Sequence, residues 1–321
     1  MKNFIKSKGR ELLLVAVILV IGIIVSTITP AFFSVINITS ILYGNAIMGI
    51  MAIGMMIVIT TANVDISVGS IFAVCNMICA AFVKTTNGTQ PVLAIIIAMA
   101  VGCLLGLFNG LLVSKLNIPA IVVTLGSMNI MRGAIYYLTD GAWIDGLSGS
   151  FVKVASRRIL GIQEAVWIWI AVIVITWFVL YRTRIGRNVL AVGGNVEAAT
   201  RVGISKTKTY LFAFGYLGAL VGLGGALSAA KLKIAQPSNG IGYEMQLIAA
   251  AVIGGTEFSG GVASIAGTVL GVLLLGVIDN ALVLAKVPVY WQDLATGIII
   301  VLAVASDALK FIIAKNKRRA K

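Results

Sequence analysis

The chemistry available to this chain is narrow, and the residues that could carry it are few. Two strings of the form acidic-x-Ser-x-Gly occur, one at Asp65-Ile66-Ser67-Val68-Gly69 and one at Glu257-Phe258-Ser259-Gly260-Gly261. A serine nucleophile needs a base to take its proton, and the 321 residues contain no histidine. A Ser-Lys pair would remain, but no lysine lies well inside an apolar run, so an intramembrane hydrolase is disfavoured. The missing histidine also removes His-ligated metals and haem, and Cys75, Cys79 and Cys103 are too few to complete a zinc site. No metal and no cofactor is expected. The glycine-rich stretch Gly254-Gly255-Thr256-Glu257-Phe258-Ser259-Gly260-Gly261 lacks the lysine of a phosphate-cradling loop, so ATP is not expected to bind here and any energy source must lie on another chain.

What remains is polar side chains at membrane depth. They are costly in hydrocarbon and therefore face a cavity or each other. Asn45, Asn63, Asp65 and Ser67 are the first candidates for a solute pathway, followed by Asn109, Asn129, Arg132, Asp279 and Asn280. For any one asparagine the competing reading is a helix-to-helix hydrogen bond. Asp65 stands apart, because a lone carboxylate at depth needs a partner. The stretches Thr60–Ser70 and Gly254–Gly261 both put polar and flexible residues between apolar runs. Paired interruptions of this kind point to a route near an internal pseudo-symmetry axis.

A second feature lies outside the apolar runs. Gly193 to Ile204 reads G-G-N-V-E-A-A-T-R-V-G-I, a short helix written with both caps. Asn195 is an N-cap, Glu197 sits where the positive end of the helix dipole favours a carboxylate, Arg201 lies four residues on, and Gly203 ends the helix in the left-handed region. Two turns are too short to be stable alone, so the segment leans on a surface, and Ala198 and Ala199 would let a partner come close. A plain surface helix between two spans is the alternative. Its setting, the most basic loop of the chain at 182–209, favours docking.

The elements that hold these residues are membrane spans. Hydrophobic residues make up 60% of the chain and charged ones 11%, with a mean hydropathy of +1.05. Apolar runs long enough for the bilayer predict about ten transmembrane helices in one all-α polytopic membrane domain over residues 1–321. They lie at Leu12–Thr29, Asn45–Thr61, Ile71–Val83, Pro91–Val113, Ile118–Leu138, Ala165–Tyr181, Tyr210–Ala230, Glu244–Phe258, Val262–Leu284 and Pro288–Asp307. Ile71–Val83 and Glu244–Phe258 are short, so broken or re-entrant segments are expected. With the N-terminus inside, seventeen of the 25 basic residues fall on the inner side, including basic tails at 1–11 and 308–321. This bias predicts both termini cytoplasmic. The first run lacks a small-x-small cleavage site after it and reads as a retained span. The net charge of +14 then reflects topology and anionic lipid, and no nucleic-acid partner is implied. Against that bias, Lys153, Arg157 and Arg158 cluster in an outer loop, with Lys231 and Lys233 on the same face. Docking of a partner with an acidic rim would use them.

The order of motifs resembles a known family. N-V-D-I-S-V-G-S at Asn63–Ser70, G-L-F-N-G at Gly106–Gly110, I-P-A-I-V-V-T-L-G at Ile118–Gly126, R-x-G-R at Arg184–Arg187, the capped segment, and G-Y-E-M-Q-L-I-A-A-A-V-I-G-G-T at Gly242–Thr256 are together similar to permease subunits of bacterial ABC importers for ribose and related sugars. The resemblance runs from about Phe32 to Asp307. G-A-W-I-D-G-L at Gly141–Leu147 and V-P-V-Y-W-Q-D-L-A-T-G at Val287–Gly297 are most similar to its autoinducer-2 and rhamnose branch. The resemblance implies an inner-membrane pore of two permeases, identical or paralogous, with cytoplasmic ABC ATPase subunits and an extracytoplasmic sugar-binding protein. The capped helix would be the coupling helix, with Arg184, Gly186 and Arg187 before it pairing with ATPase acids or with lipid phosphates. An ion-coupled secondary transporter of a small polar solute is the alternative class, and a lone channel a third.

Overall fold

The computed structural model describes residues 2–288 and residues 291, 294, 297, 298 and 301; the expected span Pro288–Asp307 and the C-terminal basic tail lie almost wholly outside them. Among the described residues the chain is a helical bundle with one two-stranded hairpin. Its helices are α1 (Lys2–Ile28), α2 (Val35–Thr60), α3 (Val68–Thr85), α4 (Pro91–Lys115), α5 (Ala120–Thr139), α6 (Ser150–Ser156), α7 (Glu164–Arg182), α8 (Arg184–Gly194), α9 (Val196–Arg201), α10 (Lys206–Leu232), α11 (Tyr243–Ile253) and α12 (Ile265–Leu284). Eight of them are long and apolar enough to cross a membrane, namely α1 to α5, α7, α10 and α12.

Local chemistry sets many of the boundaries. Ser34, Thr183, Ser205 and Ser264 each accept a first-turn N–H through their hydroxyls and so start α2, α8, α10 and α12. Pro91 opens α4, where its missing N–H costs nothing, and Asp140 ends α5 in the left-handed region at φ +48°. α2 begins ten residues before the expected Asn45. The intervening polar residues are satisfied in the fold: Asn37 and Asn280 exchange two amide hydrogen bonds of 3.0 Å across α2 and α12. α3 is likewise longer than the expected Ile71–Val83 and spans 18 residues. α11 is short, as expected, but it occupies Tyr243–Ile253 and stops before Gly254.

The core is built around α2 and α10, whose most apolar windows are 72% and 78% buried, against 17% for α1. α10 lies antiparallel on α4 along a small-residue seam. A Cβ at Gly102 would stand 2.2 Å from the Gly218 carbonyl oxygen, and one at Gly106 would stand 2.2 Å from that of Phe214, so the two backbones touch. α7 docks on α2 by laying the Trp169 ring over Gly49, where a Cβ would meet it at 2.2 Å. Lipid-sized apolar side chains such as Leu104, Phe108, Val174 and Phe178 stay exposed on the periphery, where hydrocarbon would receive them.

Two breaks cross inside this bundle. α3 follows α2 after the irregular stretch 61–67 and runs parallel to α10, and Asn76 Nδ2 donates 2.9 Å to the Gly225 carbonyl. That register puts the first residue of α3 level with a point about 11 residues, roughly 16 Å, along α10 from its start. The segment 233–242 enters from the opposite end. Ala235 pairs with Ile144 beside the α6 loop, Asn239 Nδ2 donates to Asn76 Oδ1 at 3.2 Å, and the chain at Gly240 lies against Gly69. α11 then returns to the end that carries α8, where Arg10 donates to the Val252 carbonyl at 2.8 Å.

Candidate functional site

The first candidate surface is the loop joining α7 to α10. α8 and α9 close one end of the bundle. Asn195 Oδ1 accepts the Ala198 N–H at 2.9 Å, Glu197 lies in the first turn, and Gly203 follows at φ +85°, so both caps form. Ala199 is buried in the protein's own fold, whereas Ala198 is exposed and Val202 is 76% exposed. Any approach by a partner is therefore through Ala198 and Val202; Ala199 instead seats the helix on α8 and α10. Gly186 is also structural, because a Cβ there would come within 2.3 Å of the carbonyl oxygens of Val179 and Leu180. Arg184, Arg187 and Arg201 are exposed. Arg184, Arg187 and Lys208 line a cleft of about 490 Å³ between the starts of α8 and α10 and the end of α9, with no acidic residue in its wall. It is built for negative charge.

This platform grips the core through glycine. A Cβ at Gly193 would lie 1.7 Å from the Thr60 carbonyl oxygen, and that oxygen accepts the Gly261 N–H at 2.9 Å. The two sequence interruptions thus meet, through Thr60–Ala62 and Gly260–Gly261, directly beneath α8. Only the first of them continues to depth. Gly254–Gly261 stays at the end of the bundle, near Arg10 and Tyr181. The break that faces 61–67 across the bundle is 233–242, which sequence reading missed because its backbone course depends on Arg132, far away in the chain.

At depth the polar side chains sort into distinct groups. Asp65, Ser67 and Asn109 are fully buried and form a knot with Ser127. Asp65 Oδ1 accepts from the Ser67 N–H at 2.8 Å and from the Ser67 hydroxyl, Asn109 Nδ2 donates to Ser67 Oγ at 2.9 Å and to Asp65 Oδ2 at 3.5 Å, and Ser127 donates to Asn109 Oδ1 at 2.6 Å. This ties the α2–α3 break to α4 and α5. The carboxylate has its partners. In this conformation none of the three touches open space. Asn63 is bound back on Thr61, and Asn45 is bound to Ile41 and wedged against Gly276. Asn280 belongs to the amide pair with Asn37, and Asp279 is exposed on α12.

Arg132 and Asn129 lie elsewhere, on α5. Asn129 is exposed and, among the described residues, bonds only within its helix. Arg132 donates from one guanidinium nitrogen to the carbonyls of Pro237 and Asn239 and so holds the second break in place. The segment that Arg132 holds leads into α11, whose first turn carries Glu244 next to Gly69. Its signal in the sequence was a single acidic residue opening a short apolar run.

At the opposite end, Arg157 approaches Glu164 at 3.6 Å and is 65% exposed, and Arg158 is exposed on the hairpin Arg158–Ile159/Ile162–Gln163. Lys233 is exposed. Lys231 is not available in the same way: its ammonium lies 4.4 Å over the Tyr43 ring and donates to the Tyr43 carbonyl at 3.2 Å.

With the geometry in place, comparison with known proteins is decisive. Residues 37–304 match the family described as the branched-chain amino acid transport system / permease component. The chain belongs to this permease family. It is 38% identical over 299 residues to the ribose import permease protein RbsC of Haemophilus influenzae, covering 91% of each chain, and 38% identical over 293 residues to that of Bacillus subtilis, covering 91% of this chain and 90% of the other. It is 34% identical over 315 residues to the autoinducer 2 import system permease protein LsrC of Klebsiella pneumoniae, covering 98% of this chain and 91% of the relative. No solved structure matches. This permease is a multi-span membrane protein and a transport component.

Proposed function

We propose that the chain is the transmembrane subunit of an ATP-driven, binding-protein-dependent importer for a small sugar or sugar-like solute, with ribose and autoinducer-2 as the nearest chemical models. The reading is carried by the α8–α9 platform: a capped helix with an exposed apolar patch, flanked by an unneutralised cationic cleft, bolted at Gly193 onto the ends of both interruptions. A separate ABC ATPase seated there would push directly on Thr60 and Gly261, and hence on the break that leads to the Asp65 knot. The family description names branched-chain amino acids, whereas the relatives cited are sugar and autoinducer permeases over nine tenths of the chain. We take the sugar class as the solute.

On this reading the platform is cytoplasmic and both termini face inward. A second copy or a close paralogue completes the pore in the bacterial inner membrane. Arg157, Arg158 and Lys233 receive the binding protein, with Lys231 serving the fold instead. An ion-coupled secondary transporter would share the broken helices, but it would leave the platform without a task. The test is substitution at the exposed face of α9. Ala198→Arg and Val202→Glu should abolish co-purification of the ATPase and all uptake while leaving membrane insertion and the folded fraction unchanged. Normal uptake with both changes present would refute the docking surface.

A further inference from the structure

Glu244 stands out because no hydrogen bond or ion pair among the described residues claims it, although it sits where the first turn of α11 meets the first turn of α3. The register of α3 on α10 places this meeting point well inside the bundle. The residue is only partly exposed. A carboxylate in that position is costly unless water or a ligand reaches it. Its oxygen would lie 2.9 Å from a Cβ on Gly69, so the absence of a side chain there leaves the carboxylate room on that side.

Arg132 supplies the complementary half. Its guanidinium feels the charge of Glu244, and no ion pair joins the two described residues. One nitrogen is used on Pro237 and Asn239, and the remaining N–H donors of the fork have no partner among the described residues. Both residues are partly exposed, and the carbonyls of Pro237 and Asn239 take the guanidinium nitrogen that could otherwise turn to the carboxylate. The acceptor pair and the donor fork stand on neighbouring elements joined at Gly69 and Gly240, with Glu244 on one side and the Asn239 carbonyl held by Arg132 on the other. That arrangement suits a neutral, polyhydroxylated solute, whose hydroxyl groups donate to the carboxylate and accept from the guanidinium. It does not suit an apolar side chain.

We infer that Glu244 is a direct contact for the solute in the pathway and sets its selectivity for hydroxyl groups, with Arg132 as its counterpart. This rests on the sugar-importer reading above. The competing role is structural, since a first-turn carboxylate also complements the dipole of α11. Two variants separate the roles. Glu244→Asp keeps the first-turn charge but withdraws the carboxylate by one methylene, and Glu244→Gln keeps the reach but removes the charge.

The experiment uses the complete complex of permease, ATPase and binding protein in proteoliposomes, with ribose and 2-deoxyribose as probes. Both variants should lower ribose uptake by about tenfold, the size of one lost charge-assisted hydrogen bond. Both should also shift the ribose to 2-deoxyribose rate ratio toward unity, while the folded fraction and the basal ATPase rate stay as in the parent. A rate loss with an unchanged ratio, or uptake at the parental rate in both variants, would overturn the inference. In a background lacking Cys75, Cys79 and Cys103, Glu244→Cys should react with a water-soluble methanethiosulfonate, and an unreactive thiol in every nucleotide state would also overturn it. If the parent complex carries no sugar, the importer reading is what fails. Reactivity of the Glu244→Cys thiol then still decides whether this position lies on a water-filled route.

Discussion

The knot of Asp65, Ser67, Asn109 and Ser127 should behave as one unit, and Asn109→Leu is the change that tests this. Leucine keeps the branching of asparagine at Cγ but is larger, so the loss is chiefly hydrogen bonding with some overpacking around α4 added to it. Three contacts disappear: 2.9 Å to Ser67 Oγ, 3.5 Å to Asp65 Oδ2 and 2.6 Å from Ser127 Oγ. Asp65 Oδ1 keeps both bonds to Ser67, but Oδ2 and the Ser127 hydroxyl lose the one side-chain partner they have among the described residues. Each orphaned buried group costs about 1–3 kcal/mol. Interhelical bonds in membranes average nearer 0.6 kcal/mol, because the unfolded chain in lipid finds partners too. The expected destabilisation is therefore about 2–3 kcal/mol, read from reversible unfolding in mixed micelles. Ser127→Ala alone should cost less, and the double variant should be about 1 kcal/mol less destabilised than the sum of the two. A loss under about 0.5 kcal/mol for Asn109→Leu, with the two changes additive, would refute the knot as a structural unit.

Other outcomes follow from the same geometry. Gly193→Ala drives a methyl group against the Thr60 carbonyl oxygen, 1.7 Å away before relaxation. It should leave ATPase binding in place and reduce uptake at least tenfold, since the platform remains but no longer grips the break; uptake at the parental rate would show that the contact yields freely. Arg132→Met removes the anchors on Pro237 and Asn239. Exchange of the 233–242 amide hydrogens should accelerate, and unchanged protection would place the hold on this segment elsewhere. Arg158→Glu with Lys233→Glu, both exposed, should slow uptake most at low salt and low binding-protein concentration without altering basal ATPase activity; salt-independent slowing would argue against an electrostatic dock.

What the sequence disclosed follows from how local each feature is. α9 was legible to the residue because its caps, Asn195 and Gly203, lie within the segment they terminate. The shortness of α11 could be read from Gly254–Gly255, and the platform's basic character from the arginines themselves. Features that depend on distant partners were hidden. α2 starts ten residues before the expected Asn45, and Asn37 within that added stretch is satisfied by Asn280, 243 residues away. The course of 233–242 is set by Arg132, Asn76 and Gly69, none of them near in sequence. Mistaking Gly254–Gly261 for the pathway's second break had the same origin: its polarity serves the seam with α8. Ala199 was assigned to the partner's side because a six-residue helix does not announce which face it buries.

The central claim is that transport through this permease is driven by ATP hydrolysed on another chain that docks on α8 and α9. The most direct measurement is solute uptake into proteoliposomes holding the permease, its ATPase and its binding protein, with ionophores present to collapse every ion gradient. The account predicts uptake that continues without gradients, stops when ATP or the binding protein is withheld, and is lost with Ala198→Arg. Uptake by the permease alone, powered by an imposed proton or sodium gradient and indifferent to ATP, would contradict it.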